Sequence, residues 1–276
     1  MSRRERIGFG ALTALVVLAG VGAVGLMGVV LVRGLPALGP ADAPGAALGP
    51  ALLGTFGVTA ISAAFSAGPG VCAGIYLSEY AGDTAFTRAI RIGLRTLAGV
   101  PPLLYGLFGA LVFVYGAGLG PSMLAAGLTL GLLSLPWIIS TSEAALRAVP
   151  QDRRRAALAL GASRWQLVRT CVLPEAAPEL AAGVGIGVAR ACGETAPLLF
   201  TGATLAVIGP PGGLRQPFMA LPYQVYALAI ESPAVAFGPA LVLLALVLAI
   251  GGGSAVLKAR ARARRLAWTL SARSTP

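Results

Sequence analysis

Histidine is absent from the 276 residues. That removes His-based catalytic triads, haem-type His ligation and HExxH zinc sites in one step. Charge is scarce as well. Only 11% of residues are Asp, Glu, Lys or Arg, against about 25% in an average soluble domain. Too little polar surface is left to cover a water-soluble fold, while a hydrophobic content of 57% excludes an intrinsically disordered chain. Glycine is plentiful, with 38 residues, but it has no three-residue period, so collagen is excluded. Cys72, Cys171 and Cys192 show no CxxC spacing and read as small reduced packing residues. No GxxxxGK[ST] phosphate loop occurs, so any energised work draws on another chain or on an ion gradient. An intramembrane enzyme would need a catalytic constellation, and the chain has no clustered Asp pair and no GxSxG in an apolar run.

What the sequence does have is long apolar runs. Six of them approach the length that crosses a bilayer, at residues 7–32, 52–77, 97–117, 123–139, 176–201 and 234–257. The expected fold is therefore an all-α integral membrane protein with six transmembrane helices. Basic residues assign the sides. With the N-terminus in the cytoplasm, the inside segments hold Arg3, Arg4 and Arg6, then Arg88, Arg91 and Arg95. They also hold Arg147, Arg153, Arg154, Arg155, Arg164 and Arg169, and finally Lys258, Arg260, Arg262, Arg264, Arg265 and Arg273. Only Arg33 and Arg215 fall outside, and Arg190 lies within a span. This asymmetry places both termini inside, in a chain expected to cross a plasma (inner) membrane. A cleaved signal peptide ending near Ala41-Asp42-Ala43 is the other way to read the first run, but its apolar stretch is long for that role. The net charge of +11 would point to nucleic acid in a soluble protein. Here no stacking-aromatic or zinc motif accompanies it, so topology and anionic membrane lipid account for the charge and no nucleic-acid partner is expected.

The loop after the fourth run is the most informative segment. Pro150 suits the first turn of a helix and Gly161 its C-terminal end. Ser163 and Gln166 have capping-box spacing, so a second helix starts there, with Trp165, Val168 and Val172 on one face and Pro174 as its limit. On physics alone the segment is either an amphipathic element at the membrane interface or a docking loop for a partner.

The order Ala156-Ala157, Gly161 and Leu173-Pro174 resembles the cytoplasmic "EAA" loop of ABC importer permeases. In that motif E-A-A is followed by three residues, G, nine residues, I, one residue and L-P. Arg155 stands at the Glu position and Cys171 at the Ile position. The resemblance implies that Ala156, Ala157, Gly161, Leu173 and Pro174 belong to a coupling helix seated in a cleft of an ATPase subunit, and Arg155 departs from the usual acidic contact there. Residues 185–199, GIGVARACGETAPLL, resemble the "GRAIGETAPL" segment of phosphate permeases. Residues 100–108 resemble their "PSIVYGLF" segment, and residues 219–232 the last outside loop of the PstA-type subunit. The chain thus resembles the PstA-type permeases of phosphate ABC importers.

That resemblance implies a type I importer permease fold. Residues 1–51 would hold the cytoplasmic tip, first span and outside loop, residues 52–258 the permease core with its coupling loop at about 144–174, and residues 259–276 a basic tail. It also implies a PstC-type sister permease, a PstB-type ATPase that uses the ATP, a PstS-type phosphate-binding protein, and no cofactor on this chain. A permease for molybdate, sulfate or an amino acid is the alternative, and a channel without an ATPase leaves the Gly161 loop unexplained.

Arg190 and Glu194 stand four residues apart within the fifth run, one helical turn. Charges in a membrane are costly, so both are expected to face the bundle interior and to pair. They are either a structural ion pair or, as the resemblance implies, part of the phosphate path, with Arg190 attracting the anion and Glu194 loosening its grip. Gly183 and Gly187 allow a neighbouring helix to approach, and Pro197 is expected to kink the helix. Tyr105 reads as an interface aromatic or a pathway hydroxyl, and Glu143 as a solvated residue at the end of the fourth span.

Overall fold

The computed structural model describes residues 3–38, 48–205 and 210–273. The Ala41-Asp42-Ala43 motif lies outside the described residues. Runs rich in Ala, Leu, Val and Gly satisfy every backbone group internally as helices, the one open-ended solution available in hydrocarbon. The described residues accordingly form helices α1 (Arg3–Ala37), α2 (Leu48–Ile75), α3 (Ala85–Ala98), α4 (Pro102–Gly109) and α5 (Met123–Arg147). These are followed by α6 (Gln151–Ala159), α7 (Arg164–Leu167), α8 (Leu173–Gly193), α9 (Leu198–Thr201), α10 (Leu221–Glu231) and α11 (Pro233–Arg273). Five stretches are long and apolar enough to cross a membrane, or six if the bent pair α3–α4 counts as one span.

Helix α5 is the centre of the bundle, and its principal neighbours are α2 and α8. Small residues let α2 and α5 lie against each other over their length. A Cβ at Gly127 or Gly131 of α5 would meet Ile61 or Phe65, and one at Gly70 or Gly74 of α2 would meet Ile138 or Ser142. Gly183 and Gly187 of α8 similarly rest on Thr141, Trp137 and Ile138 of α5, as their spacing predicted. At the periphery α1 packs on α11, where Gly34 and Gly238 admit Leu241 and Ala37. Arg33 lies 5.5 Å from the centre of the Phe237 ring, a cation–π distance. From Leu15 onward, α1 presents exposed Leu and Val on all sides, as a lipid-facing helix does.

Three expectations are corrected. The run at 97–117 is not one straight span, because α3 and α4 meet at 98°. Pro101 and Pro102 stand at the corner, where the residue before a proline avoids helical ψ and a proline favours the first turn of a new helix. The Tyr105 hydroxyl donates to the Leu97 carbonyl across this corner, at 2.9 Å. The hydroxyl thereby satisfies a carbonyl at a helix end.

The fifth span is shifted. It runs continuously from Arg164 to Gly193, so Pro174 does not end a helix. A π-helical turn at Val168–Val172 stands immediately before this proline, and the wider turn accommodates the missing N–H and the ring. The helix then stops at Gly193, before Pro197. Glu194 has ψ 127°, an extended conformation, so it does not continue the helical face of Arg190.

The third correction concerns Glu143, which is buried and not solvated. It is 2.9 Å from Arg91 and 3.0 Å from Arg147. Two guanidinium partners offset the cost of taking this carboxylate out of water.

Between α8 and α11 the chain folds back into the bundle end opposite α6. Ala203 and Phe218 form an isolated parallel bridge, and Phe218, Leu221 and Gln224 are fully buried. The Leu221 N–H donates to Thr55 Oγ1 of α2 at 2.8 Å. Gly54 sits under this segment, where a Cβ would collide with the Met219 carbonyl oxygen, whereas Gly68 on the same helix faces open space. Gly54→Ala is therefore expected to lower the stability of the detergent-solubilised protein by about 1–3 kcal/mol through overpacking. Gly68→Ala should instead be neutral or gain up to about 1 kcal/mol from helix propensity. Thermal unfolding followed by size-exclusion chromatography distinguishes them, and equal melting temperatures would contradict this packing.

Candidate functional site

Two groups of polar residues stand out against the apolar bundle, one at the end of α8 and one around α6. Arg190 lies in the last turn of α8, where a cation complements the partial negative charge of the helix end. Its Nε is 3.5 Å from Glu194 Oε1, and the side chains are 43% and 19% exposed. The structure therefore brings the predicted pair together, but through an extended residue beyond the helix. Arg190 reaches the surface of this chain and is not sealed inside it. Glu194 is its only ion-pair partner among the described residues. A guanidinium held at one edge by a long contact keeps donors free for an oxyanion, and the forked N–H groups suit tetrahedral oxygens.

An apolar cavity away from this pair does not serve this chemistry. It has a volume of about 380 Å³ and lies in the crook of α3, α4 and α5, lined by Leu97, Leu104, Phe108, Leu132 and Pro136 among others. No cation lines it. Arg91, Arg95 and Arg147 surround a neighbouring cavity of about 220 Å³ together with Ser140 and Glu143. Glu143 already neutralises part of that charge, and Arg91 and Arg147 also donate to the Leu77 carbonyl.

The segment around α6 forms as its local signals predict. Pro150 is the N-cap of α6, and Gly161 takes φ +82° just past its end, a conformation that costs a side chain about 1–2 kcal/mol. Both reciprocal hydrogen bonds of the Ser163–Gln166 capping box are present, at 2.8 and 3.3 Å. Val168 and Val172 are buried as expected, but Trp165 is 61% exposed. Leu167 of α7 takes the inward position in its place.

Ala156 is exposed and Ala157 half-buried, and Arg155 and Gly161 are exposed, whereas Leu173 is half-buried and Pro174 exposed. Ala157 and Leu173 pack beside the cluster formed by Leu146, Val149, Val172 and Ala176. The predicted residues therefore divide between an outer surface and its support. Leu158 and Leu160 extend the outer surface, and Leu160 is 90% exposed.

Sequence reasoning missed the residues that fasten this segment. Arg154 is buried and pairs with Glu79, which follows the α2 helix in a short π-helical turn at Tyr76–Tyr80. Arg153 pairs with Glu175 in the first turn of α8 at 2.8 Å. A usable signal was present. The chain has only ten acidic residues, and Glu79, Glu143 and Glu175 each stand at an arginine-rich end of an apolar run. Among the described residues no group of three or more His, Cys, Asp or Glu has the arrangement of a metal site.

Known proteins resemble this chain in sequence and in fold. The family model of the binding-protein-dependent transport system inner membrane component matches residues 70–263. The chain is 33% identical over 186 residues to the probable ABC transporter permease protein YqgI of Bacillus subtilis, covering 64% of this chain and 63% of that protein, somewhat under two thirds of its length. It is also 33% identical over 210 residues to the probable phosphate transport system permease protein PstA of Methanocaldococcus jannaschii, covering 74% and 73%. A chain of the MetNI methionine ABC transporter, solved in inward-facing conformations, superposes with a TM-score of 0.61 at 20% identity, covering 76% of this chain and 95% of that one, which shows a shared fold. The bundle, its exposed α6 segment and the family match over most of the chain lead to one conclusion: the chain belongs to the binding-protein-dependent transport system inner membrane components, the multi-pass permeases of ABC importers.

Proposed function

We propose that this chain is the PstA-type permease subunit of an ATP-driven phosphate importer. The observation that carries the reading is the partly exposed Arg190, held only at its edge by Glu194, within a segment that resembles the phosphate permeases. A sister permease of PstC type would face this surface, so that Arg190 lines a path between two subunits. Phosphate would exchange onto the guanidinium, and Glu194 would compete for the same donors and limit the anion's residence. Both termini lie in the cytoplasm in this reading, which puts the α6 segment on the side of a PstB-type ATPase and the α9–α10 region on the side of a PstS-type phosphate-binding protein. ATP is spent on the partner chain. This chain binds no cofactor and makes no covalent bond. Its part is alternating access, in which the path opens first to one side and then to the other.

A permease for another oxyanion, such as molybdate or sulfate, is the second reading. A guanidinium fork favours tetrahedral oxyanions as a class, and the YqgI relative carries no substrate in its name. Uptake of labelled phosphate by reconstituted vesicles, with unlabelled sulfate and molybdate as competitors, separates the two.

In the same vesicles Arg190→Gln and Glu194→Gln are each expected to lower phosphate uptake by about tenfold or more, the scale of a lost charge-assisted hydrogen bond, while the complex still assembles. Normal uptake in both variants would remove the pathway role. Gly161→Val forces a β-branched residue into positive φ and is expected to reduce co-purification of the ATPase with a tagged chain. Undiminished recovery of the ATPase would show that the α6 hinge does not shape the docking surface.

A further inference from the structure

Helix α6 projects from the bundle with most of its residues exposed, and Arg154 is the one residue of α6 that is buried. The guanidinium of Arg154 serves two spans at once. Its Nη1 donates to Glu79 beyond α2. Its Nη2 donates to the Leu146 carbonyl at 2.7 Å, and its Nε to the Val149 carbonyl at 3.3 Å. Leu146 is in the last turn of α5, where its carbonyl also accepts from the Val149 N–H, and Val149 lies two residues past the helix end. Arg154 thus closes the end of α5 and neutralises Glu79 with one rigid planar group. The side chains of Arg154 and Glu79 are 11% and 6% exposed. The adjacent Arg153 is 2.8 Å from Glu175 at the start of α8, and Glu175 is 12% exposed. Two consecutive arginines therefore fasten a nine-residue helix to three separate spans.

We propose that Arg154, with Arg153 beside it, is the positioning residue that makes α6 move as one body with the ends of α2, α5 and α8. This inference rests on the reading of α6 as the ATPase-docking element. A push on α6 is then delivered to three spans through hydrogen-bonded charge, and not through the backbone hinge at Gly161 alone. Arginine suits the task because its planar fork fixes direction as well as distance, whereas a lysine ammonium would hold Glu79 without holding both carbonyls. Arg155, by contrast, is exposed on the outer face.

The test uses the full importer reconstituted in vesicles, with ATP hydrolysis and phosphate uptake measured on the same preparation. Arg154→Ala is expected to keep hydrolysis within about twofold of the parent while uptake falls by about tenfold or more, since breaking one partner of a buried pair is costly. Glu79→Gln preserves size and hydrogen bonding and should lower the ratio of uptake to hydrolysis in the same direction, by a smaller factor. Arg154→Lys should recover part of the ratio. If Arg154→Ala fails to assemble, the Glu79→Gln ratio decides. An unchanged ratio in the assembled variants, or a proportional loss of both activities, would overturn the inference and leave Arg154 a stabilising residue only. Failure of any ATPase to co-purify with the parent chain would instead remove the docking reading.

Discussion

Helices surrounded by lipid gain nothing from the hydrophobic effect when they touch each other, so the whole architecture depends on how closely their backbones can approach. In this chain small residues meet that requirement. The α2–α5 contact is lined with glycines whose missing side chains are filled by Ile61, Phe65 and Ile138. Helix α8 reaches the same central helix through Gly183 and Gly187. With α5 held in this way, the other elements have a fixed frame. The bent α3–α4 pair, the folded-back segment around Phe218 and the α6 segment all take their positions from it.

A second constraint follows from the scarcity of charge. Each carboxylate buried near a helix end needs a partner, and the arginines that mark the sides of the membrane are the available ones. Glu143 takes Arg91 and Arg147, Glu79 takes Arg154, and Glu175 takes Arg153. The same arginines therefore serve two ends. They bias insertion of the chain as positive residues beside spans, and after folding they join spans to one another and to α6. Arg190 is the exception. It sits at the opposite end of α8 from these clusters and is held by one long contact with Glu194. On the proposed reading, low commitment to protein partners suits anion exchange, and high commitment suits a mechanical joint. The two kinds of arginine differ in this respect, although a list of residues does not separate them.

Local chemistry explains which expectations held. Capping-box spacing, a proline before a helix and a glycine after it act over three or four residues, and all three signals around α6 formed where they were read. Apolar run length likewise located the first, second, fourth and sixth spans to within several residues. Expectations that needed more than local information were the ones corrected. The π-helical turn before Pro174 and the 98° corner at Gly99–Pro101 both depend on how neighbouring helices receive a proline. Such a residue can end, bend or merely loosen a helix, and its own neighbours in sequence do not distinguish these outcomes.

By itself the sequence determined that this is a helical membrane chain with a polar segment between two spans, because run length, charge asymmetry and caps are properties of contiguous residues. It also brought Arg190 and Glu194 to notice, because ionisable residues inside an apolar run are rare for a stated energetic reason. Only the tertiary structure decided which arginines became joints. The pairing of Arg154 with Glu79 spans 75 positions and that of Arg91 with Glu143 spans 52. Long-range ion pairs of this kind depend on which helix ends are brought together. That is set by the glycine-lined contact between α2 and α5, and the pattern of charge along the chain carries no record of it.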